Sequence, residues 1–254
     1  MKKIAIVPAR WASTRFPGKP LARIGGRPVI ERVYERACMA VDEVYVATDD
    51  SRIADCVRGF GGRVVMTGEN CRSGTERCAE ALSTIDGVYD VVVNVQGDEP
   101  FIAPEQIAAL CDMFTDDDTE IATLARPFDD GVDLSNPNWV KVVRNLRGEA
   151  MYFSRSPIPF FRNQQSAKDV NGNGLRVLKH VGMYAYRPDV LCRLARLDAT
   201  PLEQAECLEQ LRWLEHGYRI KVGLTDRETV GIDTPEDLER AEKMLINGLS
   251  PTLS

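Results

Sequence analysis

The first half of the chain alternates short apolar runs with longer stretches in which apolar residues recur with helical spacing. The short runs are rich in Val and Ile, which favour β-strands, whereas apolar residues every three to four positions are typical of amphipathic helices. This alternation predicts a mostly parallel sheet covered by helices on both faces. The predicted strands are residues 4–7, 43–47, 63–66 and 88–95, and the predicted helices are residues 29–39, 52–60 (with Ser51 as N-cap) and 75–82.

The second half shows a different pattern, because its strand-like runs are separated by loops rather than by helices. We therefore expect mixed or antiparallel additions to the sheet. Thr234 is predicted to cap the last helix, which has Pro235 at its first position. The predicted strands are residues 121–126, 140–145, 150–154 and 181–186, the predicted helices are 202–215 and 235–245, and the predicted mobile loop is 162–174.

Charge and composition exclude several kinds of partner. The 254 residues include 32 Lys and Arg and 38 Asp and Glu, a formal charge of −6 with no long block of like charges, so we expect no nucleic acid and no membrane as a partner. The longest apolar runs are too short to cross a bilayer. No cleavage site follows the first residues, and the seven cysteines form no CxxC pair. These features predict a cytoplasmic protein with reduced thiols.

A cationic segment follows the first predicted strand. The sequence IVPARWASTRFPGKPL at residues 6–21 contains Arg10, Arg15 and Lys19, with Arg23 just beyond it. Ligands of open α/β sheets bind beyond the carboxyl ends of the strands. Several cations at such a place indicate a phosphate site.

The segment matches neither of the common phosphate motifs. A P-loop would need Gly at the position of Ser13 and Ser or Thr at that of Pro20, and no GxGxxG pattern is present. A solvated basic loop is the alternative, since Arg and Lys are mostly exposed in any protein. Composition alone leaves both interpretations open.

The residues of this segment resemble a known pattern, PAR-x-x-S-x-R-x-PGKPL, which is the signature loop of sugar-activating cytidylyltransferases. Further blocks follow in order along essentially the whole chain, and together they resemble the 3-deoxy-manno-octulosonate cytidylyltransferases. The blocks are ATDD (47–50), SGTERCAEA (73–81), NVQGDEPFI (94–102), NPNWVKVV (136–143), YFSRSPIPF (152–160), KHVGMYAYR (179–187), LEQLRWLEHG (208–217) and GIDTPEDLERA (231–241).

The resemblance implies a fold of the nucleotide-diphospho-sugar transferase type, a Rossmann-like mixed sheet covered by helices on both faces, with an arm that forms a homodimer. It implies transfer of CMP from CTP to the anomeric hydroxyl of 3-deoxy-D-manno-octulosonate (Kdo), giving CMP-Kdo and pyrophosphate for lipopolysaccharide biosynthesis. We expect one domain, residues 1–254, with a nucleotide-binding portion at about 1–120, a sugar-binding and dimerisation portion at about 121–230 and a C-terminal helix at about 231–254.

Such a reaction brings an acidic sugar to a triphosphate, so repulsion is its main obstacle. Two unit charges about 4 Å apart repel by roughly 4 kcal/mol at an effective dielectric constant of about 20. Lys19 is suited to act as a point charge on the transferred phosphate, and Arg10 and Arg15 as forks for its oxygens. The resemblance implies that the nucleotide site contains Pro8, Ala9, Arg10, Ser13, Arg15, Lys19, Ser73, Arg77 and Gln96.

The remaining phosphate charge calls for Mg²⁺, which prefers a few carboxylates plus phosphate oxygens. Asp98 follows a predicted strand, at the edge where catalytic acids are expected. By pattern alone, Asp233 is an acid near a helix start, and Glu99 is a turn residue. The resemblance implies that Asp98 and Asp233 hold the metal and, with Lys19 and Arg15, form the catalytic set.

The sugar site is implied by the resemblance alone. By pattern, His180 is equally well a core histidine, Tyr184 a packed strand aromatic, and Glu209 and Gln210 a solvated helix face. Ser73 is equally well a helix cap. The residues that the resemblance places around Kdo are Gln96, Arg155, His180, Tyr184, Glu209 and Gln210.

Two other functions stay open at this point. A cytidylyltransferase for another acidic sugar, such as 8-amino-Kdo or a sialic acid, would keep the cationic loop and the acids but change the sugar pocket. A non-catalytic nucleotide-binding module would keep the fold and lose Lys19 or the metal acids, which are present here.

Overall fold

The computed structural model describes residues 1–12, 16–129, 132–162, 176–229 and 231–246, with the backbone alone at position 246. Within these ranges the strands are β1 (Lys3–Ala9), β2 (Arg23–Ile24), β3 (Arg27–Pro28), β4 (Glu43–Thr48), β5 (Val64–Met66), β6 (Val91–Asn94), β7 (Ile121–Pro127), β8 (Lys141–Arg144), β9 (Ala150–Ser154), β10 (Leu178–Tyr186) and β11 (Ile220–Leu224). The α-helices are α1 (Val29–Cys38), α2 (Ser51–Gly59), α3 (Gly74–Thr84), α4 (Pro104–Asp112), α5 (Pro188–Leu194), α6 (Pro201–Glu206), α7 (Glu209–Glu215) and α8 (Pro235–Ile246).

The main sheet has the strand order β11-β7-β10-β6-β1-β4-β5. Strand β10 runs antiparallel to both of its neighbours, β6 and β7, while the other pairs in this row are parallel. Strand β8 pairs with the first residues of β10, and β9 pairs with β8. The prediction of a parallel sheet with antiparallel additions from the middle of the chain is confirmed.

Helices cover both faces of this sheet. Along β1, Ile4 and Ile6 pack on one face, while Ala5 and Val7 pack on the other. The first face is covered by α3, α5 and α7, and the second by α1, α2 and α4. Strands buried on both faces read as continuous apolar runs, which explains the composition of the first half of the chain.

Most predicted elements are confirmed to within a few residues, but the predicted helix 202–215 is wrong. Two short helices, α6 and α7, replace it, because Cys207 adopts a left-handed conformation with φ of 51°. A left-handed residue ends an α-helix. The chain then extends at Leu208 before α7 begins, so Glu209 stands in the first turn of a new helix.

The start of α2 also differs from the prediction. The N-cap is Asp50 rather than Ser51, since the Asp50 side chain accepts a hydrogen bond of 2.9 Å from the backbone N–H of Arg52. The helices α4 and α5 and the strand β11 were not predicted. All seven cysteines are free thiols, of which Cys78 and Cys111 are buried.

The predicted mobile loop at residues 162–174 lies, from residue 163 onward, outside the described residues. Among the helices of the described ranges, none combines the length and the apolar character that spanning a bilayer requires.

Candidate active site

A cavity of about 290 Å³ opens where β1 and β6 end. Strands β1 and β6 are parallel neighbours in the sheet. After β1 the chain continues to β4 on one side of β1, whereas β6 lies on its other side, so the strand order switches between β1 and β6. Such switch points are the usual ligand sites of open α/β sheets. Four segments line the cavity: residues 8–10 after β1, residues 71–74 with Arg77 at the start of α3, residues 96–98 after β6, and Lys19 with Pro20. Asp233 completes the lining.

Gly97 allows the turn after β6 to approach β1 closely. A Cβ atom at this position would lie 2.8 Å from the carbonyl oxygen of Pro8, closer than atoms of a side chain normally come to a backbone. The absence of a side chain therefore lets the next residue, Asp98, reach the cavity beside the cationic segment.

A backbone closure fixes the end of the cationic loop. The N–H of Gly18 donates to the carbonyl of Trp11 at 3.1 Å, and Gly18 has a φ of 71°, which glycine adopts without strain. The Trp11 ring packs beneath the guanidinium of Arg52, 3.4 Å from the ring centroid. Lys19 follows directly and begins a short 3₁₀ helix. The predicted ligands Ser13 and Arg15 lie outside the described residues.

Lys19 brings together the two acids at opposite ends of the chain. Its ammonium lies 2.6 Å from Asp98 Oδ2 and 3.3 Å from Asp233 Oδ1. The Lys19 side chain is 12% exposed, so this contact is shielded from much of the solvent. The N–H of the buried Ile232 donates to the carbonyl of Asp98 at 2.8 Å, which anchors the C-terminal segment at the cavity.

The start of α8 is capped without the side chain of Asp233. Thr234 Oγ1 accepts from the N–H of Asp237 at 3.2 Å, and the Asp237 carboxylate accepts from the N–H of Thr234 at 3.0 Å. This reciprocal pair confirms the prediction of Thr234 as N-cap. The carboxylate of Asp233 contacts Lys19 instead, and this contact is not explained by a role as a helix cap.

Glu99, the residue after Asp98, is half-buried, and its buried Oε2 atom has no hydrogen-bond partner among the described residues. Burial, followed by the negative charge of Asp98, raises the pKa of Glu99 to about 8. Glu99 is therefore mostly protonated at neutral pH and adds no second negative charge beside Asp98.

The two arginines of the predicted nucleotide site differ in their surroundings. Arg10 lines the cavity and is exposed. Arg77 also lines it, but its guanidinium is buried and donates to Asp49 at 2.7 Å and to the hydroxyl of Thr67. Asp49 and Thr67 were not predicted as site residues. Arg77 as a nucleotide ligand stays a prediction, because its side chain is already held by these partners.

The predicted sugar ligands lie beside the cavity rather than in its lining, except for Gln96, which lines it. Gln96 Nε2 donates to the carbonyl of Gly182 at 3.1 Å, which ties the turn after β6 to β10. Tyr184 is paired with Asn94 of β6 in the sheet, and its hydroxyl is buried without a hydrogen-bond partner in the described part of the chain. Gln210 is also buried.

His180 on β10 lies beside Thr123. Its Nε2 lies 3.0 Å from Thr123 Oγ1, and that hydroxyl donates to the carbonyl of Met183 at 2.8 Å. When the hydroxyl donates to this carbonyl it accepts from His180, an arrangement that places the ring proton on Nε2 and leaves Nδ1 as an acceptor. Burial lowers the pKa of His180 to about 3, which keeps the ring neutral at physiological pH.

Arg155 lies among backbone carbonyls in this structure. Its guanidinium donates to the carbonyls of Glu206 at 2.7 Å, Pro137 at 2.9 Å and Cys207 at 3.3 Å. The fully buried Lys141 donates to the carbonyl of Arg155 at 2.6 Å. These contacts hold the end of β9 against the turn before α7. Direct contact of Arg155 with sugar stays a prediction.

Glu209 is a predicted sugar ligand outside the cavity lining that contacts the lining residue Ser73. Its two carboxylate oxygens accept from Ser73 Oγ at 2.7 Å and Thr75 Oγ1 at 2.8 Å. The pattern in the sequence gave no sign of Thr75 as a partner, since the two residues are 134 positions apart. Ser73 also caps α3 through the N–H of Glu76, as its alternative interpretation predicts.

Comparison with known proteins shows the family of the chain. A model of the family described as "Cytidylyltransferase" matches residues 4–220. A 3-deoxy-manno-octulosonate cytidylyltransferase of Parabacteroides distasonis is 55% identical over 251 residues, 97% of this chain and 99% of the relative. One of Phocaeicola vulgatus is 56% identical over 248 residues, 96% of this chain and 98% of the relative.

The chain belongs to the family of 3-deoxy-manno-octulosonate cytidylyltransferases.

Solved structures agree with this membership. A structure described as CMP:2-keto-3-deoxy-manno-octonic acid synthetase complexed with CTP superposes with a TM-score of 0.90 at 42% identity, over 98% of this chain and 100% of the other. A 4-diphosphocytidyl-2C-methyl-D-erythritol synthase of Anaerococcus prevotii superposes with a TM-score of 0.60 at 16% identity, over 96% of this chain and 99% of the other, which shows a shared fold. The expected fold class is confirmed, and this family member is a nucleotidyltransferase.

Proposed function

We propose that the chain transfers CMP from CTP to the anomeric hydroxyl of Kdo and releases pyrophosphate. The observation that carries this proposal is the convergence of Lys19, Asp98 and Asp233 in the cavity at the ends of β1 and β6. The names of the relatives and the CTP complex of the similar structure supply the substrates. The product would be a precursor for lipopolysaccharide biosynthesis.

In the proposed reaction, the anomeric oxygen of Kdo forms a bond to the α-phosphorus of CTP. The bond from this phosphorus to the oxygen that bridges the α- and β-phosphates breaks, pyrophosphate leaves, and the proton of the anomeric hydroxyl passes to water. Arg10 and Lys19 lie in the cavity as cations for the phosphate oxygens. Because the charge on these oxygens changes in the transition state, fixed cations accelerate the reaction.

The residues present fit a magnesium ion. Asp98 and Asp233 both lie within hydrogen-bond distance of one ammonium, so the space between their carboxylates already accommodates a positive charge. No cage of three or more His, Cys, Asp or Glu occurs among the described residues, and Mg²⁺ needs none when substrate phosphates supply ligands. When bound, Mg²⁺ would act as a Lewis acid on the phosphate oxygens.

The acceptor sugar is proposed to lie between the cavity and β10. Tyr184 offers a buried hydroxyl with no hydrogen-bond partner in the described part of the chain, and neutral His180 offers Nδ1 as an acceptor. Buried polar groups without partners are usually satisfied by a ligand or an ordered water. A sugar with several hydroxyls suits such a site, together with Gln96, Glu209 and Gln210.

The substrate assignment is tested by pyrophosphate release from purified protein with Mg²⁺. We expect CTP with Kdo to turn over much faster than any other pairing in a panel of four nucleoside triphosphates with Kdo, 8-amino-Kdo and a sialic acid. The polar groups of a sugar site discriminate strongly when a required hydroxyl is missing or displaced. Equal turnover of the sialic acid would refute the sugar assignment, and no release with any pair would indicate a non-catalytic module.

A homodimer, a cytoplasmic location and the division of the single domain into three portions are also proposed here. Exposed apolar side chains on and beside the β8–β9 hairpin support the dimer. Met151 on β9 is 64% exposed and Phe160 beyond it is 88% exposed, although both are apolar. Such residues are frequent in surfaces that associate.

A further inference from the structure

The first turn of α3 holds the carboxylate of Glu209 from across the molecule. Ser73 Oγ donates to Glu209 Oε1 at 2.7 Å, and Thr75 Oγ1 donates to Glu209 Oε2 at 2.8 Å. Each carboxylate oxygen thus has its own hydroxyl donor. Both distances are those of well-formed O–H···O hydrogen bonds.

These two hydrogen bonds are partly buried. Thr75 is 2% exposed, so its hydroxyl is not available to bulk water. Burial raises the pKa of Glu209, and the hydrogen bonds from Ser73 and Thr75 oppose that rise. Arg212, one helical turn along α7, forms its ion pair with Glu203 at 2.6 Å. The hydrogen bonds of the Glu209 carboxylate in the described part of the chain come from the hydroxyls of Ser73, the N-cap of α3, and Thr75 in its first turn.

The same turn of α3 faces the cavity. Ser73 and Gly74 line it together with Arg10, Lys19 and Asp98. The Ser73 hydroxyl accepts from the N–H of Glu76 at 3.2 Å, so one side chain both caps α3 and holds Glu209. The start of α3 connects the proposed nucleotide cavity to α7, which carries the proposed sugar ligands.

We propose that Thr75, with Ser73, is a positioning residue for the acceptor sugar: its hydroxyl fixes the Glu209 carboxylate in the orientation that binds Kdo, without touching the sugar. This inference rests on the proposed function, because it takes Glu209 as a ligand of Kdo. Without the hydroxyl of Thr75, one oxygen of a partly buried carboxylate loses its donor, and the carboxylate becomes free to rotate or to accept a proton.

The test compares Thr75→Val, which keeps the shape of the side chain and removes the hydroxyl, with Thr75→Ser, which keeps the hydroxyl. We expect Thr75→Val to raise KM for Kdo about tenfold, as the loss of one hydrogen bond to a charged group commonly does, and to leave KM for CTP unchanged. Thr75→Ser is expected to restore a KM for Kdo near that of the wild type.

A double variant shows whether Thr75 affects the KM for Kdo through Glu209 or independently of it. If Thr75 acts through this carboxylate, Thr75→Val adds little to the KM for Kdo of Glu209→Gln. Fully multiplicative effects would overturn the inference, as would an unchanged KM for Kdo, or equal rises in both KM values with a lowered melting temperature. Should Thr75→Val fail to fold, Thr75→Ala removes the same hydroxyl without adding a methyl group.

The activity of the wild-type protein distinguishes failure of the positioning role of Thr75 from failure of the proposed function. If it turns over Kdo and Thr75→Val keeps the wild-type KM for Kdo, the positioning role is wrong and the proposed function stands. If the wild type does not use Kdo, the proposed function fails, and the role of Thr75 fails with it.

Discussion

Replacing either Asp98 or Asp233 with Asn is expected to lower turnover about 10³-fold or more, while the protein folds normally. Asn keeps the size of the side chain and removes the negative charge that a divalent cation requires. The two side chains are 32% and 47% exposed, so neither is needed to fill the core. Steady-state pyrophosphate release, with melting temperature beside it, measures both parts of the expectation.

Asp233→Asn is the sharper of the two variants. A residue that merely favours a helix start is worth only about 0.3 to 1 kcal/mol of stability and leaves the chemistry alone. In this structure Thr234 and Asp237 already cap α8. Normal activity of Asp233→Asn would return Asp233 to a structural role. Asp117→Asn is a matched control, because Asp117 is an exposed acid of the loop before β7.

The double variant tests whether the acids act as a unit. If Asp98 and Asp233 hold one metal ion between them, the first substitution already removes the shared function, so the second adds little. The combined loss should then be far smaller than the product of the single losses. Fully multiplicative losses would count against one shared metal.

Lys19→Ala is expected to lower kcat about 10²- to 10³-fold with little change in folding stability. Losing one group that stabilises developing charge commonly costs this much in rate. Asp98 and Asp233 would then face each other without the ammonium, but both are partly exposed, and water can solvate them.

The control for Lys19→Ala is Lys2→Ala, which removes a cation just before β1, at the end of the strand away from the cavity. Its kcat should equal that of the wild type. If Lys19→Ala instead kept full turnover and melted at a lower temperature, the residue would be part of the structure rather than of the chemistry.

The sheet and its covering helices were predictable because their apolar patterns are local. The continuous run through β6 and the spacing along α1 each identify an element without reference to the rest of the chain. The break at Cys207 was not predictable in this way. A cysteine is rarely left-handed, and tertiary contacts hold it there: α6 packs against α7, and Arg155 donates to the Cys207 carbonyl. The short helix α5 and the strand β11 carry too few residues for a clear period.

The position of the site was predictable from the sequence, but most contacts within it were not. The cationic loop after β1 indicates phosphate by its position alone, but the meeting of Asp98 and Asp233 is set by the path of the whole chain. Contacts such as Thr75 with Glu209, or Arg77 with Asp49, join residues whose local sequence gives no hint of a partner. Resemblance suggested the set of residues, and the structure supplied the contacts between them.

The most direct test of the proposed reaction is ³¹P NMR of CTP, Kdo and Mg²⁺ with the purified protein. The account predicts that the three phosphorus signals of CTP are replaced by one phosphodiester signal and the signal of pyrophosphate, because the bond between the α-phosphorus and its bridging oxygen breaks. Formation of CDP with a phosphorylated sugar would place the attack at the γ-phosphorus and contradict the account. Unchanged CTP would contradict it as well.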